Sequence, residues 1–144
     1  AAYALEAVDL DSIEKVLVSN YQTDDSYETT ISTTLFDSSL TTVGVSSSAA
    51  TGDTTFSNLL QQVSAEMRNG AANLTLTYET SVFNGTDDVQ ALTVQGLTGG
   101  TFTANGAETI TIGTELTKST LTDVAGTGLK TIKVTGDKAL TIRY

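Results

Sequence analysis

One short apolar pattern occurs four times along the chain. In each copy an apolar residue is followed three and five positions later by β-branched residues. The copies start at positions 13, 40, 107 and 129, so the starts are separated by 27, 67 and 22 residues, and 67 is close to three steps of 22. Such a repeat is expected for the stacked turns of a parallel β-solenoid, in which each turn buries its apolar face against its neighbours. The copies are Ile13-Glu-Lys-Val16-Leu-Val18, Leu40-Thr-Thr-Val43-Gly-Val45, Ala107-Glu-Thr-Ile110-Thr-Ile112 and Leu129-Lys-Thr-Ile132-Lys-Val134.

From Leu74 onward, apolar residues alternate with Thr or Lys, and Gly or Asn-Gly separates the runs. Alternation with a period of two is typical of half-buried strands, and Gly and Asn favour the turns between them. An antiparallel sandwich with strands about every 8 to 12 residues would give the same alternation. The sequence therefore predicts a mainly β fold, either β-solenoid-like or a stacked-sheet sandwich.

A different period occurs at residues 55–69. Apolar residues fall at i, i+3, i+4, i+7 and i+11, and Asn69-Gly70 could end a helix. This spacing predicts one short amphipathic helix over about 55–69. The apolar residues are Phe56, Leu59, Leu60, Val63 and Met67. Asp11 could cap a second helix through Val18, but the run Val16-Leu17-Val18 and its match to the repeated pattern favour a strand there.

We expect residues 1–144 to form a single β-rich domain that is a segment of a longer surface protein. Its core is predicted from the apolar positions of the repeats, the alternating runs and the helix. These positions are Ile13, Val16, Val18, Val43, Val45, Leu59, Leu60, Val63, Leu74, Leu76, Leu92, Val94, Ile110, Ile112, Ile132, Val134, Leu140 and Ile142.

The composition excludes several chemistries. The chain has no Cys and no His, so it has no disulfide, no thiolate metal site, no imidazole ligand and no Ser-His-Asp triad. It has 28 Thr and 13 Ser, and any catalysis would have to use carboxylates, these hydroxyls, the five Lys or the two Arg. We therefore expect a non-catalytic protein.

The charge is strongly acidic. Asp and Glu outnumber Lys and Arg by 17 to 7, which gives a net charge of −10. Such a surface repels nucleic acids and anionic membranes, and no apolar run reaches the roughly 18 residues that span a bilayer. Lys130 and Lys133 lie close together near the C-terminus without the interleaved aromatics of a nucleic-acid site. We expect neither nucleic acid binding nor membrane insertion.

Three groups of acidic residues are candidate calcium ligands. Calcium takes six to eight oxygen ligands, and carboxylates on loops supply them. None of the groups has the spacing of an EF-hand, and acidic loops that are simply solvated would look the same. In order of preference the groups are Asp87 with Asp88, Asp24 with Asp25 and Glu28, and Asp9 with Asp11.

The second half of the chain resembles bacterial surface-layer (S-layer) and related secreted, threonine-rich surface proteins. The resemblance rests on Ser81-Val-Phe-Asn-Gly-Thr-Asp-Asp88, Ala91-Leu-Thr-Val-Gln-Gly-Leu-Thr-Gly-Gly-Thr-Phe-Thr-Ala104, Gly106-Ala-Glu-Thr-Ile-Thr-Ile112 and Gly128-Leu-Lys-Thr-Ile-Lys-Val-Thr-Gly-Asp-Lys-Ala-Leu-Thr-Ile142. It covers about residues 80–144 well and about 10–48 loosely.

This resemblance implies an exported, cell-surface protein that is often calcium-dependent and assembles with copies of itself into a lattice or filament. A cell-surface polysaccharide would be a further partner, although no segment here is assigned as its anchor. The alternative from another class is a glycan- or receptor-binding module of a bacterial adhesin or phage fibre. That module would need several exposed aromatic residues on one face.

Overall fold

A computed structural model describes residues 12–20, 28–36 and 38–143. They form a parallel β-solenoid of about five turns. A six-stranded sheet has the order β1-β3-β5-β7-β9-β12, a five-stranded sheet has the order β11-β8-β6-β4-β2, and β10 pairs with β13 in a third, two-stranded sheet. The strands are β1 (Lys15–Val18), β2 (Thr29–Ser32), β3 (Thr42–Ser46), β4 (Thr54–Leu59), β5 (Ser64–Arg68), β6 (Leu74–Tyr78), β7 (Val89–Gln95), β8 (Thr101–Ala104), β9 (Thr109–Thr114), β10 (Ser119–Leu121), β11 (Asp123–Ala125), β12 (Thr131–Gly136) and β13 (Leu140–Ile142).

The strand pairing confirms the solenoid and excludes the sandwich, because every strand pair in the described chain is parallel. Val16 pairs with Val43, and Ile110 pairs with Ile132, as the spacings of 27 and 22 predict. Lys15–Val18 is a strand, as its β-branched residues indicate.

The spacing of 67 does not reflect three equal turns. The residue that stacks below Val43 is Ala65, followed by Leu92 and then Ile112, so the column misses Ile110 by two positions. Because the turns differ in length, the apolar residues of every copy still face the core, but the first two copies are not in register with the last two.

The predicted helix at 55–69 is wrong. The segment forms β4 and β5 instead, and the only helical element of the described chain is a 3-10 turn at Thr33–Leu35. Asn58 has a positive φ of 56° and creates an irregularity in β4, so Phe56 and Leu59 both face inward although they are three residues apart. A bulged strand followed by a corner therefore produced a spacing that imitates a helix.

The corners of the solenoid stack as regularly as the strands. Ser47, Asn69 and Gly96 follow the ends of β3, β5 and β7, and all three have positive φ, between 48° and 62°. The Ser47 N–H donates to the Arg68 carbonyl, and the Asn69 N–H donates to the Gln95 carbonyl, both at 2.8 Å. Asn69 thus has the left-handed conformation expected of a residue that ends a helix. Here that conformation forms the corner after β5, where the chain leaves one face of the solenoid for the next.

The core lies between the sheets and is made of stacked columns of inward-facing residues. Most of the predicted core positions are buried or half-buried. Three predictions are wrong: Leu60 lies on a corner and is 63% exposed, Val134 lies on the last strand of its sheet and is 52% exposed, and Ile13 is 36% exposed. The fully buried large side chains are Phe56, Phe102, Leu59, Met67, Leu74, Leu76, Leu92, Ile110, Ile112, Leu121, Gln90 and Val43.

Position in the stack should decide what a core residue contributes. Val43 and Val134 belong to one column of the six-stranded sheet, but Val43 is covered by neighbours on both sides and Val134 is covered on one side. Val43→Ala should lower the free energy of unfolding by about 2 kcal/mol, because it removes buried methyl groups and leaves a cavity. Val134→Ala should lower it by less than about 1 kcal/mol. Urea titration of the two variants, followed by far-UV circular dichroism, measures both values, and equal losses would contradict the assignment of Val134 to an open end.

Candidate functional site

The leading candidate calcium pair, Asp87 and Asp88, lies in the loop between β6 and β7. The Asp88 carboxylate accepts a hydrogen bond from the Gly85 N–H at 2.8 Å, and the Asp88 N–H donates to the Glu108 carboxylate at 2.8 Å. Asn84 closes the same loop by donating to the Ser81 carbonyl at 3.1 Å. These hydrogen bonds form a tight turn, and the Asp88 carboxylate takes part in closing it.

The other acidic groups are only partly within the described residues. Glu28 is exposed at the start of the five-stranded sheet, whereas Asp9, Asp11, Asp24 and Asp25 lie outside the described residues. Within the described ranges, no three acidic side chains converge in a way that could hold a metal ion.

A polar groove on the outer face of the five-stranded sheet was not predicted. Asp53 accepts hydrogen bonds from the Asn73 N–H at 3.0 Å and from the Asn73 side-chain amide at 2.9 Å. The Asn73 side-chain oxygen in turn accepts from the Thr101 N–H at 2.7 Å, one turn further along. Side chains thus extend the hydrogen-bonded ladder between turns. Glu28, Thr55, Thr75 and Thr103 line the rest of this groove.

An ion-pair network crosses the outer face of the six-stranded sheet. Lys15 Nζ lies 2.6 Å from Glu66 Oε1, and Arg68 Nε lies 2.8 Å from Glu66 Oε2. Lys15 is on β1 and Glu66 is on β5, so this ion pair spans β3, the strand between them. Arg68 extends the network to Gln95 at 3.3 Å.

This network should make stability depend on pH. Burial alone would raise the pKa of Glu66, but the hydrogen bonds and charges of Lys15 and Arg68 outweigh it, so the pKa lies below its ordinary value. A lowered folded-state pKa contributes stability above the unfolded value, near pH 4.3, and that stability is lost as the pH falls through the folded value. Glu66→Gln should therefore lower the free energy of unfolding by about 1 kcal/mol at pH 7 and by much less at pH 3. The exposed residue Glu79 provides the control. Glu79→Gln should leave the difference in unfolding free energy between the two pH values the same as in the natural protein.

A hydrogen-bond network inside the molecule holds the loop that carries Asp87. The fully buried Gln90 side chain donates to the Val63 carbonyl at 2.9 Å and accepts from the Tyr78 hydroxyl at 2.6 Å. Burial raises the pKa of Tyr78 above its ordinary value, which further favours the protonated hydroxyl that donates to Gln90. The ring of Phe83 packs on Tyr78 with centroids 4.4 Å apart, which anchors the loop to the core.

The two ends of the six-stranded sheet are the most distinctive surfaces of the molecule. Among the described residues β1 has one strand neighbour, β3, and β12 has one strand neighbour, β9. Val16 and Val18 on β1 and Ile132 on β12 are half-buried, whereas their partners in the next turn are buried. Within the described residues, both ends therefore present backbone hydrogen-bonding groups beside incompletely covered apolar side chains, the arrangement that favours strand addition.

No family model, no curated protein and no solved structure matches the chain. No helix in the described part of the chain has the length and apolar character needed to cross a bilayer.

Proposed function

We propose that this chain is a non-catalytic structural component that assembles with copies of itself into an extracellular surface layer or filament of the S-layer type. The observation that supports the proposal most directly is the parallel solenoid with an open strand edge at each described end of its six-stranded sheet. A solenoid gains stability from each turn that stacks on the next, so an open end gains from a further turn supplied by another molecule.

The resemblance of residues 80–144 to surface-layer proteins supports the same function. The threonines of that segment alternate with buried apolar residues, as in Thr101-Phe102-Thr103, and give the outer faces a neutral, hydroxyl-rich surface.

Calcium is the cofactor that we propose for controlling assembly. The net charge of −10 opposes close approach of two copies, and divalent cations relieve such repulsion when carboxylates from different loops or copies share them. Asp87 is exposed on its loop and Glu28 on the five-stranded sheet, so both carboxylates are accessible to calcium. Calcium would act after export, where it is abundant.

Electron microscopy of the purified protein, with about 5 mM calcium and with EDTA, tests the proposal. We expect ordered sheets or filaments, formed more readily with calcium. Val134→Lys should abolish them, because assembly would bury a charge at the edge of β12. Val89→Lys is the matched control: Val89 is 42% exposed, similar to Val134 at 52%, but it lies on an internal strand, and its replacement should leave assembly intact.

A glycan-binding module is the second candidate, and the polar groove around Asp53 and Asn73 favours it, because amide and carboxylate groups bind sugar hydroxyls. The described aromatic residues do not form an exposed platform: Phe56 and Phe102 are fully buried and Tyr78 is mostly buried. Dispersed monomers under every condition, together with glycan-array binding that is lost in Asn73→Ala, would favour this candidate over assembly.

A further inference from the structure

The two ends of the chain carry opposite charge. Residues 118–143 contain five of the seven basic residues and only two acidic ones, whereas residues 1–37 contain eight acidic residues and one basic residue. That one basic residue, Lys15, is paired with Glu66. The last turn of the solenoid is thus positive in a protein whose net charge is −10, and the beginning of the chain is strongly negative.

The last turn also has apolar groups that a further turn would cover. Val134 is 52% exposed and Ile142 is half-buried, whereas the residues paired with them in the preceding turn, Ile112 and Leu121, are fully buried. At the other end Val18 is half-buried, and its partner Val45 is buried. Within the described residues, each end has a neighbouring turn on one side only.

The repeated pattern defines how the two ends would fit. Aligning the copies that start at 107 and 129 reproduces the observed pairing of β9 with β12, and aligning those that start at 13 and 40 reproduces that of β1 with β3. The backbone agrees: the Glu108 carbonyl accepts from the N–H groups of Lys130 and Thr131, and the Glu14 carbonyl accepts in the same way from Thr41 and Thr42. The second position of each copy therefore occupies the same place at the entrance to its strand.

We propose that β12 of one copy pairs in parallel with β1 of the next, in the register that the repeat defines. Ile132 then lies beside Val16, Val134 beside Val18, and Lys130 beside Glu14. The contact joins two different surfaces, and because it continues the stacking of strands along the solenoid axis, it adds one solenoid to the next instead of closing a ring. This inference rests on the proposed function and adds the surface, the register and the polarity of assembly.

Disulfide trapping tests the register, because the natural chain has no Cys. Leu17 and Lys133 are both exposed and face each other in the proposed register. Paired residues on neighbouring strands lie about 5 Å apart, within reach of a disulfide. A chain carrying Leu17→Cys and Lys133→Cys should form a ladder of linked copies on oxidation. A chain carrying Leu17→Cys and Thr131→Cys should not, since that pair would be about 8 Å apart.

Charge exchange tests the polarity. Lys130→Glu and Glu14→Lys should each raise the concentration needed for assembly by about tenfold, measured by sedimentation, because each places like charges side by side. The double variant should restore assembly to near its original concentration. Unchanged assembly in both single variants would overturn the proposed contact.

The outcomes separate the two proposals. Ordered assemblies that never yield the in-register cross-link, or that yield the Thr131 cross-link equally well, overturn this contact and leave the structural function standing. Copies that stay monomeric at all concentrations overturn both proposals. The same conclusion holds if they stay monomeric because another part of the same chain covers β12.

Discussion

Replacing Phe102 by alanine should lower the free energy of unfolding by about 4 kcal/mol, among the largest losses expected from a single truncation in this core. Phe102 is fully buried on β8, between Leu74 of β6 and Val124 of β11. Hydrogen-bonded ladders hold these neighbouring backbones about 4.8 Å apart, so they cannot move together to fill the space that the ring leaves. Urea titration followed by circular dichroism measures the loss.

Phe83→Ala is the control, because it removes the same atoms from a half-buried ring that packs on Tyr78 outside the strand columns. It should cost about 1 to 2 kcal/mol. Each turn of a solenoid contacts only its neighbours, so Phe102→Ala should also increase amide hydrogen exchange most in β6, β8 and β11. Equal losses in the two variants would contradict the stacked-column core.

The fold could be predicted from the sequence because burial in a solenoid is periodic in two directions. Along a strand the inward residues alternate, as in Leu74 and Leu76, and between turns a β-branched residue lies beside another, as Val16 lies beside Val43. Both regularities leave a trace in the order of residues. The spacing of the repeats did not predict the register across the middle of the chain, because turns of unequal length displaced Ile110 from the column of Val43.

The false helix and the missed networks have related causes. The positive φ of Asn58 changes which residues of β4 face inward, and no local rule marks that asparagine as a bulge. Lys15 and Glu66 are separated by 51 residues, so their contact follows from the number and length of the intervening turns. Open ends are equally invisible in the sequence: the pattern around Val134 is the same as in a buried turn, and its exposure follows from its place in the stack.

Gly44→Ala should lower the free energy of unfolding by about 3 kcal/mol and weaken the pairing of β3 with β5. Gly44 lies opposite Glu66, and a Cβ atom there would lie only 2.0 Å from the Glu66 carbonyl oxygen and 2.8 Å from its carbonyl carbon. Both are backbone atoms within a hydrogen-bonded ladder, so they cannot move aside without breaking that ladder. The shift should also disturb the ion pair of Glu66 with Lys15.

Gly113→Ala is a matched control in the same column of the same sheet, since Glu66 pairs with Thr93 and Thr93 pairs with Gly113. A Cβ atom at Gly113 would have no atom closer than 3.8 Å, which is ordinary contact distance. Alanine also restricts the unfolded chain more than glycine does, so this variant should be as stable as the natural protein or more stable by up to about 1 kcal/mol. Thermal unfolding of both variants gives the comparison. The same substitution at two positions of one column is therefore expected to lower stability at Gly44 and to keep or raise it at Gly113. A Gly44→Ala variant as stable as the Gly113→Ala variant would show that β3 does not lie against β5 as closely as described.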